Sequence, residues 1–362
     1  MSADFYLRHG SFPHLDGLRG LAVLLVVVHH LKQELPHAAI VENGRYGVTI
    51  FFVLSGFLIT SLLLRELAEV GRVDGKRFLV RRFARIFPAY AAVLGLYVIA
   101  VIGLGVFTDA NKELFVDKLF SLLTFTSNWH ESATEGPFFV SWSLGAEMQF
   151  YALLILVVLA FGRRGAGAVV GMAALVIVGR LAAASFQGPE PTVWLLRGVE
   201  ESIWVGVLAA ALLAQPGFRR HLDRWVSPSV VVGLLVSLFV LLSSGSIPHK
   251  HGPMSIAIAL LSAACIVSAA RSRRVPLLAN RLVEYLGARS YGIYLLHMIV
   301  ILLLRKFLGG AWTLVLVLPL SMLAAELLHR WVEKPGGEWL QDKLRSALRR
   351  RQDTTAGVEY SA

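Results

Sequence analysis

Ten apolar segments, each about as long as a membrane crossing, constrain this sequence more than any other feature. An α-helix needs roughly 20 mostly apolar residues to cross the ~30 Å hydrocarbon core of a bilayer. Hydrophobic residues make up 56% of the 362 residues and charged residues only 16%, whereas an ordinary soluble chain has about 25% charged residues. We therefore predict an all-α integral membrane protein, a bundle of about ten transmembrane helices. The predicted spans are residues 16–33, 46–64, 88–107, 143–162, 166–184, 193–214, 229–246, 253–270, 284–304 and 311–331.

The basic residues predict the orientation of these spans. The formal net charge is +11, and Lys and Arg residues cluster in alternate connections, 23 on one side of the membrane against seven on the other. Because positively charged loops stay in the cytoplasm, both termini are predicted to be cytoplasmic, in a multi-pass protein of the plasma (inner) membrane. The same clustering argues against a nucleic-acid partner, since the charges belong to short loops between apolar runs.

We predict no soluble domain. Residues 1–335 form one membrane domain, with its helices at roughly 14–331, and residues 336–362 form a basic, partly disordered cytoplasmic tail. The short apolar stretch Leu114–Phe125 contains Asp117 and Lys118, which favours an interfacial or re-entrant segment over a span. The single cysteine, Cys265, lies in an apolar run, so we expect neither a disulfide framework nor a metal site.

The first predicted span contains two ionisable residues, which are costly in hydrocarbon and therefore candidates for function. Arg19 and His30 are eleven residues apart, which places both on one helical face, roughly 16 Å apart along the axis. This spacing suits a long anionic substrate whose phosphates bind the arginine while its reactive end reaches a histidine base. The alternatives are a snorkelling arginine anchor and a histidine that bonds between helices.

A second basic group precedes the third predicted span. Arg82 and Arg85 share a helical face, with Arg81 beside them, and together they form a cationic fork suited to phosphates. The sequence assigns them to the loop before Pro88, where basic clusters are also expected from topology alone.

Glu147 lies near the start of the fourth predicted span, after Trp142 and Ser143. This span runs inward, so Glu147 is predicted in the same outer half of the membrane as His30. A carboxylate there could orient the imidazole or accept a proton from an acceptor hydroxyl. An ion pair that closes the bundle is the alternative.

A further polar stripe lies on the ninth predicted span, where His297 is in the outer half above Ser290, Tyr291 and Tyr294. A hydrogen bond between helices would also explain His297. Ser55 precedes a glycine and is interpreted as part of a helix contact or cavity wall, because no base is adjacent to it in sequence. Arg197 with Glu200 and Glu201 fits an ion pair within the bundle.

Several segments, in order, resemble the membrane acyltransferase-3 family, whose members acylate sugars and antibiotics. They are LDGLRGLAVLLVVVHH, GVTIFFVLSGFLIT, RRFARIFPAY, SWSLGAEMQFY, LGARSYGIYLLH and WVEKP, and they run from about residue 14 to residue 335. One departure is Thr49, where family members often have an aspartate after the Gly-Val pair.

The resemblance implies roles for these residues. His30 would be the catalytic histidine, Glu147 an active-site carboxylate, and Arg19, Arg82 and Arg85 would bind acyl-CoA. Residues expected to support the site are Asp16, Ser55, Trp142, Ser143, Tyr291 and His297.

The expected activity is transfer of an acyl group, acetyl by family habit, from acyl-CoA to a hydroxyl. The acceptor would be a carbohydrate or a lipid-linked sugar, as in modification of surface polysaccharides, and no permanently bound cofactor is expected. Direct transfer and a transient acyl-histidine both remain open. The alternative from another class is a proton-coupled secondary transporter, because intramembrane histidine, arginine and glutamate also form proton relays.

Overall fold

The computed structural model describes residues 12–130, 132–185, 200–245, 247, 253–344 and 346, and this part of the chain is helical and contains no strand. The helices are α1 (Pro13–His29), α2 (Ala39–Asn43), α3 (Tyr46–Val70), α4 (Gly75–Val98), α5 (Asp109–Leu123), α6 (Ser141–Phe161), α7 (Gly165–Ser185), α8 (Glu201–Ala214), α9 (Pro216–Leu222), α10 (Pro228–Ser243), α11 (Pro253–Arg271), α12 (Arg281–Ala288), α13 (Ser290–Phe307) and α14 (Gly310–Leu328). The predicted all-α class is confirmed for these residues.

The number of spans is lower than predicted. Seven helical stretches of the described chain are long and apolar enough to cross a membrane, and α8 with α9 would make an eighth if a pair bent by 95° counts as one span. Helix α1 has 17 residues and α10 has 16, which is just short of the roughly 20 needed. The predicted count of about ten is therefore not confirmed, and the cytoplasmic location of both termini stays a prediction.

The predicted start of the third span is wrong by thirteen residues, since α4 begins at Gly75 instead of at Pro88. The side chain of Asp74 accepts a hydrogen bond from the backbone N–H of Arg77, which is the usual way to cap a helix start. Pro88 lies inside the helix. Consequently Arg82 and Arg85 are helical residues with fixed directions, and do not belong to a loop.

Two other boundaries differ from the predictions. The predicted span at 284–304 is divided into α12 and α13, which meet at Arg289. The predicted tail from residue 336 begins as helix, since the helical stretch that contains α14 continues to Leu344. The stretch predicted to be interfacial or re-entrant belongs to α5 (Asp109–Leu123), which is not among the seven candidate spans.

Glycines allow the central helices to pack backbone against backbone. A Cβ added at Gly56 of α3 would overlap the carbonyl oxygen of Ile203 in α8, and one added at Gly206 of α8 would overlap that of Val53. Helix α1 crosses α12 in the same way, where Gly287 lies directly against the backbone of Asp16. Small residues at such crossings are the usual means of close helix association in membranes.

Replacing Gly56→Ala should destabilise the bundle, because the new methyl group has no room beside the Ile203 carbonyl. Overpacking of this kind costs about 1–3 kcal/mol, and more where backbone must move. The check is the thermal unfolding midpoint of the purified protein in detergent. Gly233→Ala in α10 is the matched control, since an added Cβ there meets nothing within 4 Å; an equal midpoint in both variants would contradict the crossing described above.

Candidate active site

A cavity of about 460 Å³ lies among α1, α3, α4, α6 and α13. Most of the residues singled out from the sequence line it: Asp16, Arg19, Ser55, Arg82, Arg85, Ser143, Glu147 and Tyr291. His30, Trp142 and His297 do not line it. The cavity thus brings these eight residues together, and the two histidines lie beyond it.

Three arginines give the cavity its charge. Arg19 of α1 forms an ion pair with Asp16 at 3.2 Å. The guanidinium of Arg82 lies over the Phe78 ring at 5.8 Å from its centroid, and its Nε is buried with no hydrogen-bond partner among the described residues. Arg85 is exposed at the cavity wall. Three guanidinium groups against the carboxylates of Asp16 and Glu147 leave a net positive space, as an anion-binding site requires.

Glu147 lies with these arginines and does not contact His30. Its carboxylate accepts hydrogen bonds from the hydroxyls of Ser55 on α3 and Tyr151, one turn further along α6. The imidazole-orienting role considered for Glu147 therefore stays a prediction, and among the described residues no hydrogen bond joins the two side chains. The physical reason is rotation: α6 turns this side chain towards α3 and the cavity, a direction that sequence position along the membrane normal does not determine.

The partner of His30 is His297. Their ring atoms His30 Nδ1 and His297 Nε2 are 3.2 Å apart, and the ring centroids are 5.0 Å apart. His297 is fully buried, with 0% of its surface exposed, whereas His30 is only partly buried. His30, at the C-terminal end of α1, therefore pairs with His297 on the helical face that also carries Arg19.

Tyr294 connects the cavity to this histidine pair. Its hydroxyl lies 2.7 Å from that of Ser143, and both residues line the cavity. Its ring centroid is 5.9 Å from that of His297. From the sequence, Tyr294 was only one residue of a polar stripe. Its position between the cavity and the histidine pair becomes visible once α6 and α13 pack together.

The remaining supporting residues pack the walls. Trp142 meets Phe52 edge to face, with ring centroids 5.8 Å apart, and the Tyr291 hydroxyl donates to the backbone oxygen of Ile86 at 2.8 Å. Arg197 lies outside the described residues. Glu201, its predicted partner, pairs with Arg180 at 3.0 Å.

Sequence reasoning missed an ion pair that holds the end of α1. Both carboxylate oxygens of Glu34 accept hydrogen bonds of 2.7 Å from Arg305 of α13, and Arg305 also donates to the backbone oxygen of His30 at 3.0 Å. These donations from Arg305 lower the pKa of Glu34 below its ordinary value. Because 271 residues separate the two partners, no local pattern could reveal the pair.

Arg305→Met should both destabilise the protein and impair the site, because it leaves Glu34, only 4% exposed, without its partner. Leaving a partly buried carboxylate without its hydrogen-bond partner costs about 1–3 kcal/mol. The measurement is the unfolding midpoint in detergent of Arg305→Met, Glu34→Met and the double variant. The double variant should recover part of the loss, since no unpaired charge remains; three independent and additive losses would argue against a coupled pair.

Known proteins are similar to this sequence over most of its length. A family model described as an acyltransferase domain matches residues 12–330. OatA of Listeria monocytogenes serovar 1/2a (strain ATCC BAA-679 / EGD-e), a peptidoglycan O-acetyltransferase, is 27% identical over 89% of this chain and 55% of its own. YrhL of Bacillus subtilis (strain 168), named as a proposed peptidoglycan O-acetyltransferase, is 29% identical over 91% of this chain and 55% of its own.

A protein of Staphylococcus aureus (strain COL), named as a proposed O-acetyltransferase, is 27% identical over 91% of this chain and 58% of its own. The chain thus spans little more than half the length of these relatives. No solved structure matches it. Because the domain model covers residues 12–330, which include the arginine-lined cavity and both histidines, the chain belongs to the acyltransferase-3 family.

Proposed function

We propose that this chain is a multi-pass membrane O-acyltransferase that transfers an acyl group, acetyl in the first instance, from acyl-CoA to a carbohydrate hydroxyl. The observation that carries the proposal is the joining of two unlike features: a cavity lined by Arg19, Arg82 and Arg85, and a histidine pair connected to it through Tyr294. The O-acetyltransferase names of the relatives support it. The transporter alternative has no such support.

The donor is assigned to the cavity by its charge. Coenzyme A carries phosphates at one end and the acyl thioester at the end of a thin arm. Guanidinium groups bind phosphate through paired, charge-assisted hydrogen bonds, and the unpartnered Nε of Arg82 is one such donor. The arm would then run along α1 towards His30, a distance of roughly 16 Å from Arg19 by helix geometry.

His30 is assigned the proton transfer. Its free ring nitrogen takes the proton of the acceptor hydroxyl while that oxygen attacks the thioester carbonyl carbon. The new C–O bond forms as the C–S bond breaks, and the departing coenzyme A thiolate takes the proton from His30. The alternative route passes the acyl group first to His30 itself, and then predicts ping-pong kinetics when both substrates are varied.

Glu147 is given a role in the cavity and not at the histidine. As the acceptor of hydrogen bonds from Ser55 and Tyr151, it holds two walls together and balances part of the arginine charge. This keeps the guanidinium groups separated and directed at the donor when the cavity is empty of substrate.

The names of the relatives support one acceptor class ahead of the others. Two of them are named for peptidoglycan, so a peptidoglycan sugar hydroxyl is the first candidate, ahead of other surface polysaccharides and lipid-linked sugars. Such an acceptor lies outside the plasma membrane, so the acyl group would cross the bilayer during transfer while coenzyme A stays on the cytoplasmic side.

The test is transfer of label from radiolabelled acetyl-CoA in membrane vesicles with and without the expressed chain. Peptidoglycan, a surface polysaccharide and a lipid-linked sugar are supplied in separate reactions. We expect label that depends on the chain and is released by mild base, as an O-ester is. Equal label with and without the chain, for every acceptor, would refute the proposed activity.

A further inference from the structure

The ring of His297 makes hydrogen bonds that a side chain serving only to fill space would not need. Its Nε2 is 3.2 Å from His30 Nδ1, and its Nδ1 lies 2.7 Å from the Tyr294 oxygen and 3.1 Å from the Ile293 oxygen, both backbone carbonyls. Every polar atom of this fully buried ring is therefore engaged. An apolar side chain would fill the same volume without needing any of these partners.

These contacts determine where the protons are. A carbonyl oxygen only accepts hydrogen bonds, so His297 Nδ1 must carry a proton and donate it. In the neutral ring, His297 Nε2 is then an acceptor. A protonated, charged His297 would be costly in so buried a place.

The same reasoning applies to the ring nitrogens of His30. Its Nδ1 faces two acceptors, His297 Nε2 at 3.2 Å and the Val26 backbone oxygen at 2.9 Å. His30 Nδ1 must therefore be the protonated nitrogen, and Nε2 is left with a free lone pair. Both routes of the proposed reaction need this state, because a base and a nucleophile alike use an unprotonated nitrogen.

We propose that His297 is a positioning residue that holds His30 with its proton on Nδ1 and its Nε2 free to react, a role that rests on the proposed function. When His30 takes the hydroxyl proton on Nε2, its ring becomes positively charged. The Nδ1–H bond to the neutral His297 then strengthens and stabilises that charge. The proton later leaves from Nε2 to the coenzyme A thiolate, so His297 itself gains and loses none.

The geometry assigns this role to His297 and to no carboxylate. Among the described residues, His297 is the one side chain hydrogen-bonded to the imidazole ring of His30, and Glu147 is engaged by Ser55 and Tyr151. A neutral acceptor supports the imidazole without adding a buried negative charge next to it, which would be expensive in this low-polarity setting.

Steady-state kinetics with acetyl-CoA separate positioning from packing. His297→Phe keeps a ring of similar size but removes the acceptor, and should lower kcat about 100-fold while KM for acetyl-CoA stays within about twofold. His297→Gln can present its amide oxygen to His30 Nδ1–H and should recover most of kcat. Equal losses in both variants, or wild-type kcat in His297→Phe with an unchanged unfolding midpoint, would overturn the proposal.

The protonation state can be read without activity. NMR of the protein with isotope-labelled histidine nitrogens, in detergent and at neutral pH, distinguishes a protonated ring nitrogen from a bare one, and the His30→Ala and His297→Phe spectra assign the two rings. We expect Nδ1 protonated and Nε2 bare in both. A proton on His30 Nε2 would overturn the proposal even in an active enzyme. If the wild type transfers no acetyl group but shows these two states, the proposed function fails while the histidine arrangement stands.

Discussion

His30→Ala is expected to reduce acetyl transfer from acetyl-CoA by about 10²- to 10⁴-fold, the contribution of a positioned proton-transfer group. His30 is the partly exposed member of the histidine pair, and its Nε2 is the nitrogen that the surrounding acceptors leave free. The substitution also removes the ring whose free Nε2 is proposed to take the proton of the acceptor hydroxyl. The measurement is the initial rate of label transfer in vesicles that contain matched amounts of each variant.

The control is His221→Ala, which removes an exposed histidine on α9, far in sequence from the cavity-lining residues. It should transfer at the wild-type rate. A His30→Ala rate within a few-fold of wild type, at equal expression, would remove His30 from the reaction. The cavity would then bind a ligand for another purpose.

The double variant Arg82→Gln/Arg85→Gln is expected to raise KM for acetyl-CoA by about 100-fold or more. A hydrogen bond to a charged group contributes about 1.5–3 kcal/mol, and each 1.4 kcal/mol is a factor of about ten in affinity. The sharper measurement compares acetyl-CoA with acetyl-pantetheine, which has the reactive arm but no phosphates. The wild type should prefer acetyl-CoA strongly, and the double variant should lose most of that preference.

Arg72→Gln serves as the matched control, because Arg72 is an exposed residue between α3 and α4 and does not line the cavity. It should keep the wild-type preference for acetyl-CoA. If the double variant kept that preference as well, the phosphates would have to bind elsewhere. If kcat fell with both donors alike and KM did not change, the two arginines would instead support the fold or the chemical step.

Helix geometry grouped the arginines more directly than it could identify the partner of His30. Spacing along one helix places residues on a shared face, so Arg82 with Arg85, and Arg19 with His30, followed directly from their separations. Which helix supplies the partner of His30 depends on how each helix is rotated about its own axis. Glu147 and His297 were both expected in the outer half, and only packing distinguishes the one that faces the imidazole.

Some predicted span boundaries differ from the structure for a related reason. Hydropathy locates the apolar part of a helix, but α4 starts with a polar, basic turn that Asp74 caps. A positively charged start reads as a loop in a hydropathy window. Likewise, a helix of 17 residues such as α1 has the composition of a span without its full length.

The glycine crossing of α1 on α12 also limits how this fold can diversify. Gly20 and Gly287 bring the two backbones into direct contact, so α1, which carries Arg19, cannot move closer to α12 to admit a bulkier substrate. The rise along α1 already sets the separation of roughly 16 Å between Arg19 and His30, so this distance is a constant of the scaffold. Under the proposed function, selectivity for acyl groups of different length is set by side chains on the other helices that line the cavity, such as Phe51 of α3.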